Sequence, residues 1–128
     1  MRAAALAALL LAGAGCGSAS RSPAGAVRAF EEAAREGDLE RVVKLLGPRT
    51  RARLEADARA ASEQAGRRTI LPSELLAAGW TPPRFEPDVV REVSRAGGAA
   101  VVEVVGERGE REQVAVVREG GSWKVELP

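Results

Sequence analysis

The spacing of hydrophobic residues changes twice along the chain. Residues 3–12 (AAALAALLLA) are apolar without interruption. From residue 22 to 66, apolar residues recur with the 3.6-residue period of amphipathic helices. Ser22-Pro23 is a helix start, with Ser as the N-cap and Pro in the first turn. Val27, Phe30 and Ala34 form the inner stripe, while Arg28–Glu32 and Glu31–Arg35 are i,i+4 charge pairs expected on the outer side. Gly37 closes this helix and Asp38 caps the next, whose stripe is Leu39, Val42, Val43 and Leu46. Gly47-Pro48 breaks the chain again. Residues 49–65 are rich in helix formers, but the apolar face of Leu54, Ala58, Ala61 and Ala65 is thin, which predicts a helix lying across the surface. A short helix follows from Pro72-Ser73 to Ala78. The segment 79–87 contains three prolines and is expected to be irregular.

From residue 88 the period is two. Strands are predicted over 88–95, 99–105, 110–119 and 122–127, separated by Gly-rich turns. The last is the clearest. Trp123, Val125 and Leu127 are expected to face the helices, with Ser122, Lys124 and Glu126 opposite. Turns this short impose an antiparallel meander, since parallel strands need long crossovers. Helices followed by an antiparallel sheet define an α+β domain, predicted over 23–128.

Composition narrows the chemistry. The chain of 128 residues has 19 basic and 18 acidic side chains, too balanced for a dedicated nucleic-acid binder. It has no His and a single Cys, Cys16, so an intrachain disulfide and Cys/His zinc sites are excluded. Tyr and Asn are also absent, and Arg outnumbers Lys 17 to 2. Gly-x-Ser-x-Gly, Ser-x-x-Lys, phosphate-loop and calcium-loop motifs do not occur. No metal or cofactor is expected.

The first 15 residues have the anatomy of an export signal: Arg2, a short apolar run, then Gly13, Ala14 and Gly15. The run is shorter than the ~20 residues that span a bilayer. With Cys16 directly behind small residues, the segment Leu11-Ala12-Gly13-Ala14-Gly15-Cys16 resembles the cleavage and lipidation motif of bacterial lipoprotein precursors. That family usually has Leu three residues before the Cys, where this chain has Gly13. Ordinary cleavage after Ala14 to give a soluble periplasmic protein is therefore the alternative. The resemblance implies cleavage before Cys16, a lipid on Cys16 holding the chain to the membrane, and residues 16–22 as a flexible tether. By the family's sorting rule, Gly17 after the Cys implies the outer membrane, facing the periplasm.

The order of elements resembles the nuclear-transport-factor-2-like cone. The resemblance rests on the opening SPAGAVRAFEEAAREGDLERVVKLLGP, the Val-rich meander, and the ending VREGGSWKVELP. It implies helices packed on a strongly curved four-stranded sheet that often leaves a pocket. Enzymes with this fold, such as ketosteroid isomerases, use a carboxylate base with Tyr-type donors, and Tyr is absent here. Glu103, set between Val101-Val102 and Val104-Val105, is the one acid weighed as a pocket base, against a place on the solvated face of the sheet. Trp80 and Phe85 flank Thr81-Pro82-Pro83-Arg84 and are the expected rim of any pocket. The sequence thus points to a lipid-anchored envelope protein with a non-catalytic module that binds an envelope protein or a small apolar ligand. The alternative is a small cone-fold enzyme using Glu103.

Overall fold

The computed structural model describes residues 19–66 and 68–128. The export segment and Cys16 lie outside them. Among the described residues, four α-helices precede a four-stranded antiparallel sheet in the order β1-β2-β3-β4. The helices are α1 (Pro23–Glu36), α2 (Leu39–Leu45), α3 (Pro48–Gln64) and α4 (Pro72–Ala78). The strands are β1 (Pro87–Ala96), β2 (Ala99–Gly106), β3 (Arg111–Glu119) and β4 (Ser122–Glu126).

Local signals explain the helix boundaries. The Ser22 hydroxyl accepts the Gly25 amide at 3.0 Å, and Asp38 accepts that of Arg41 at 3.2 Å. Gly37 ends α1 in the left-handed region, φ 68°, and its amide bonds back to Ala33 and Ala34. Of the segment expected to be a flexible tether, the described residues are not free chain. Ala19–Arg21 forms a single 3-10 turn against α1 and β4, and Ser20 is buried.

α1 lies against all four strands. Its Val27, Phe30, Ala33 and Ala34 meet Val90, Ala100, Val102, Val104, Val114, Val116, Trp123 and Val125 from the sheet, and Val42 and Leu46 close the core. Two register shifts in β1, between Pro87 and Val89 and between Glu92 and Ser94, interrupt an otherwise regular ladder; bulges of this kind bend a strand and increase its twist. Arg28 Nη2 donates to the Val90 carbonyl at 3.0 Å, tying α1 to this edge strand. At the other end of β1, the Arg95 guanidinium stacks 5.1 Å from the centre of the Trp123 ring. α3 buries only Thr50 and Ala58 among its side chains and packs mainly on α4, as its thin apolar stripe requires.

The second edge of the sheet is closed where α2 gives way to α3. Leu46 forms a parallel bridge with Val125, and the Gly47 amide donates to the Val125 carbonyl at 2.7 Å. Trp123 and Val125 face the helices as predicted, and Leu127 packs half-buried against the same core, although β4 stops at Glu126. The Leu127 amide donates to Thr50 Oγ1 at 2.9 Å rather than continuing the ladder. Glu126 does point to the opposite face, yet it is buried rather than solvated. Its carboxylate accepts the Arg49 amide at 3.2 Å, the Thr50 amide at 2.8 Å and the Thr50 hydroxyl. It therefore caps the N-terminus of α3, where Gly47 has no side chain to do so. Burial pushes this carboxyl up, but the bonds from Thr50 and Arg49 outweigh it and hold the group below the ordinary carboxylate range. A Cβ on Gly47 would overlap the Glu126 carboxylate.

Because its folded-state value is depressed, Glu126 stabilises the fold above the ordinary carboxylate value, and that contribution disappears as pH falls through the folded value. Glu126→Gln is expected to lose about 1.5–3 kcal/mol at pH 7, the worth of hydrogen bonds to a charged group. The loss should shrink toward acid pH, as measured by urea unfolding. Gly47→Ala and Glu126→Ala should each destabilise, but their double variant should lose less than the sum, since both act on one contact.

Candidate functional site

The helix-facing side of the sheet is not wholly covered. Between α1, the 80–84 segment, β3 and the chain end lies a cleft of about 340 Å³, lined by Phe30, Glu31, Trp80, Pro82, Glu112 and Leu127 among others. A second hollow of about 210 Å³ shares Phe30, Glu31, Glu112 and Leu127 and runs toward Arg49. Glu31 is common to both.

Glu31 was expected to sit outside, paired with Arg35. Instead only 5% of it is exposed. The reason is geometric. Ala26, Ala29, Ala33 and Ala34 let the sheet and its neighbours approach α1 closely, so more than one stripe of the helix is covered. Arg35 turns to Glu86, at 3.3 Å. Among the described residues, Glu31 forms neither a hydrogen bond nor a salt bridge. No fully buried polar side-chain atom there lacks a partner, so its carboxyl oxygens must open into the cleft. Burial pushes the Glu31 carboxyl above the ordinary range, the Glu112 carboxylate pushes it further, and Arg35 partly opposes both. Glu112 is exposed at the cleft mouth.

Trp80 lines this cleft as the sequence suggested, but Phe85 does not. Phe85 packs over Gly106, where a Cβ would come within 2.7 Å of its ring. It borders a separate polar hollow with Arg84, Glu86, Glu107, Arg108 and Glu110. Glu103 is on the other side of the sheet. The β2 residues Ala100, Val102 and Val104 face the core, which sends Val101, Glu103 and Val105 to the opposite face. There the Glu103 carboxylate accepts Arg91 at 2.7 Å from the directly opposed position and Arg111 at 3.4 Å from the diagonal one. Those two long side chains leave its own side chain 10% exposed. This is an ion-paired strand face, not a pocket base. The same face carries a shallow groove of about 480 Å³ along Ala99, Val101, Ala115 and Val117.

Glu31 and Glu112 were both missed, although each carried a signal. Glu31 is four residues after Val27 and three before Ala34, on the buried stripe. Glu112 has the parity of Val114 and Val116. Among the described residues, no cluster of three or more acidic, Cys or His side chains could hold a metal, and no helix is long and apolar enough to cross a membrane. No protein-family model matches the chain, nor does any curated protein or solved structure.

The raised Glu31 carboxyl has a consequence for stability. A carboxyl whose folded value lies above its unfolded one favours the fold below the unfolded value and loses that contribution as pH rises through the folded value. Glu31→Gln is therefore expected to be more stable than the parent at pH 7.5 and equal to it near pH 4. Paired denaturant titrations at the two pH values check this.

Proposed function

We propose that the chain is an exported lipoprotein, held to the membrane through Cys16, whose α+β domain is a nuclear-transport-factor-2-like cone acting as a non-catalytic binding module. The ligand site is the cleft of Phe30, Glu31, Trp80, Pro82 and Leu127. The observation that carries this reading is Glu31, a buried carboxyl that opens into an apolar, aromatic-walled cleft instead of pairing with its own helix. A concave, mainly apolar site with one convergent polar group is the usual form of a small-ligand pocket. Catalysis has less support: Glu112, the carboxylate that could pair with Glu31 as acid and base, is exposed at the cleft mouth rather than enclosed beside it.

One observation bears on the enzyme alternative: the raised carboxyl of Glu31 lines the cleft while Glu103 lies on the other face of the sheet, so a base in the cleft would be Glu31. Retained ligand binding with loss of a measured turnover in Glu31→Gln would select that alternative.

Two measurements test the proposal. Intact-mass analysis of the membrane-extracted protein should give a chain beginning at a lipidated Cys16. A soluble product beginning at Gly15 with an unmodified thiol would overturn the anchor. For the cleft, a neutral solvatochromic dye should bind saturably, and Trp80→Ala should weaken it about tenfold, the effect of losing one aromatic contact. Equal binding by the variant would place the ligand elsewhere.

A further inference from the structure

The domain has two electrostatically different ends. In the meander, the turns at 97–98 and 120–121 lie at one end and the turn at 107–110 at the other. α1 runs alongside β4 in the same direction: the Ala19–Arg21 turn before it touches β4, while Phe30 and Glu31 reach Leu127, beyond the end of β4. The described chain therefore starts at the 97–98 and 120–121 end. There, Arg95 is matched by Glu92 and Arg51 by Glu119. Arg21, Lys44, Arg118 and Lys124 form no salt bridge among the described residues. Lys124 donates to the Lys44 carbonyl at 2.9 Å, which places its ammonium at the C-terminal end of α2, and its charge also reaches Glu119. The opposite end carries Asp88, Glu107, Glu110 and Glu112 against Arg84 and Arg108, also without salt bridges there.

We infer that the end bearing Arg21, Lys44, Arg118 and Lys124 is a docking surface for an anionic lipid headgroup layer. The inference rests on the lipid anchor proposed above. Cys16 precedes the packed turn at Ala19 by three residues, which span at most about 11 Å. That is comparable with the screening length of about 8 Å at physiological ionic strength, so a lipid on Cys16 brings these cations within the field of the membrane. Glu31 lies eight residues along α1 from Pro23, about 12 Å farther out. Docking by the cationic end thus turns the cleft away from the bilayer.

The test uses the full chain expressed in an exporting bacterial host, purified from the membrane and reconstituted into vesicles. Vesicles are phosphatidylcholine alone or with added phosphatidylglycerol. An environment-sensitive fluorophore is placed on Ala96→Cys, beside the 97–98 turn, or on Glu107→Cys at the opposite turn. A headgroup-bound quencher should quench the first far more in anionic than in neutral vesicles, and the second little in either. Arg21→Gln with Arg118→Gln, both exposed positions, should lower the docked-to-undocked ratio roughly thirtyfold. Raised salt should act in the same direction. An intact mass with an unmodified Cys16 overturns the anchor and this inference together. A lipidated protein with equal quenching at both turns, or with no dependence on anionic lipid, overturns this inference and leaves the anchor standing.

Discussion

One buried carboxylate joins the two halves of the domain. Without Glu126, the first amides of α3 would end against the sheet with no acceptor, because Gly47 offers no side chain. With it, the helix dipole, two backbone amides and a hydroxyl converge on a negative charge supplied by the last strand. The same junction places Leu46 and Gly47 beside Val125, covering an edge that would otherwise expose unpaired backbone groups. Thr50 completes the arrangement by donating to Glu126 while accepting from Leu127. α1 supplies the apolar cover of the sheet, but this polar joint fixes where α3 begins and where β4 stops.

The elements themselves were largely readable. Ser22, Asp38 and Gly37 are local signals acting over a few residues, and period-two alternation placed the strand ends to within one residue. What could not be read was side-chain fate at places where two elements meet. Glu126 looked like a solvated position because alternation states only which face a residue takes, not what covers that face. Glu103 shows the same limit: its face was assigned as one alternative, but its near-complete cover by Arg91 and Arg111 depends on strand register. Glu31 was misplaced because an i,i+4 partner in Arg35 is a local argument, and the partner went instead to Glu86, fifty-one residues away along the chain.

The cleft follows from the irregular 79–87 segment as much as from the sheet. Prolines keep that stretch out of helix and strand, so it passes over α1 as a wall and sets Trp80 opposite Leu127. Phe85 is spent on covering Gly106, which separates the apolar cleft from the polar hollow beside the 107–110 turn. A ligand in the cleft therefore meets a small apolar surface with one unusual carboxyl, and its binding would be coupled to that carboxyl's protonation.

The distance along the chain between Thr50 and Glu126, 76 residues, carries a meaning in time. At ribosomal rates of about 5–20 residues per second, roughly 4–15 s pass between synthesis of the helix start and synthesis of its cap. During that interval α3 has no acceptor for its first amides, and the sheet edge beside Leu46 has no strand to join. The nascent chain is thus held short of its closed state until almost the last residue of β4 has been made.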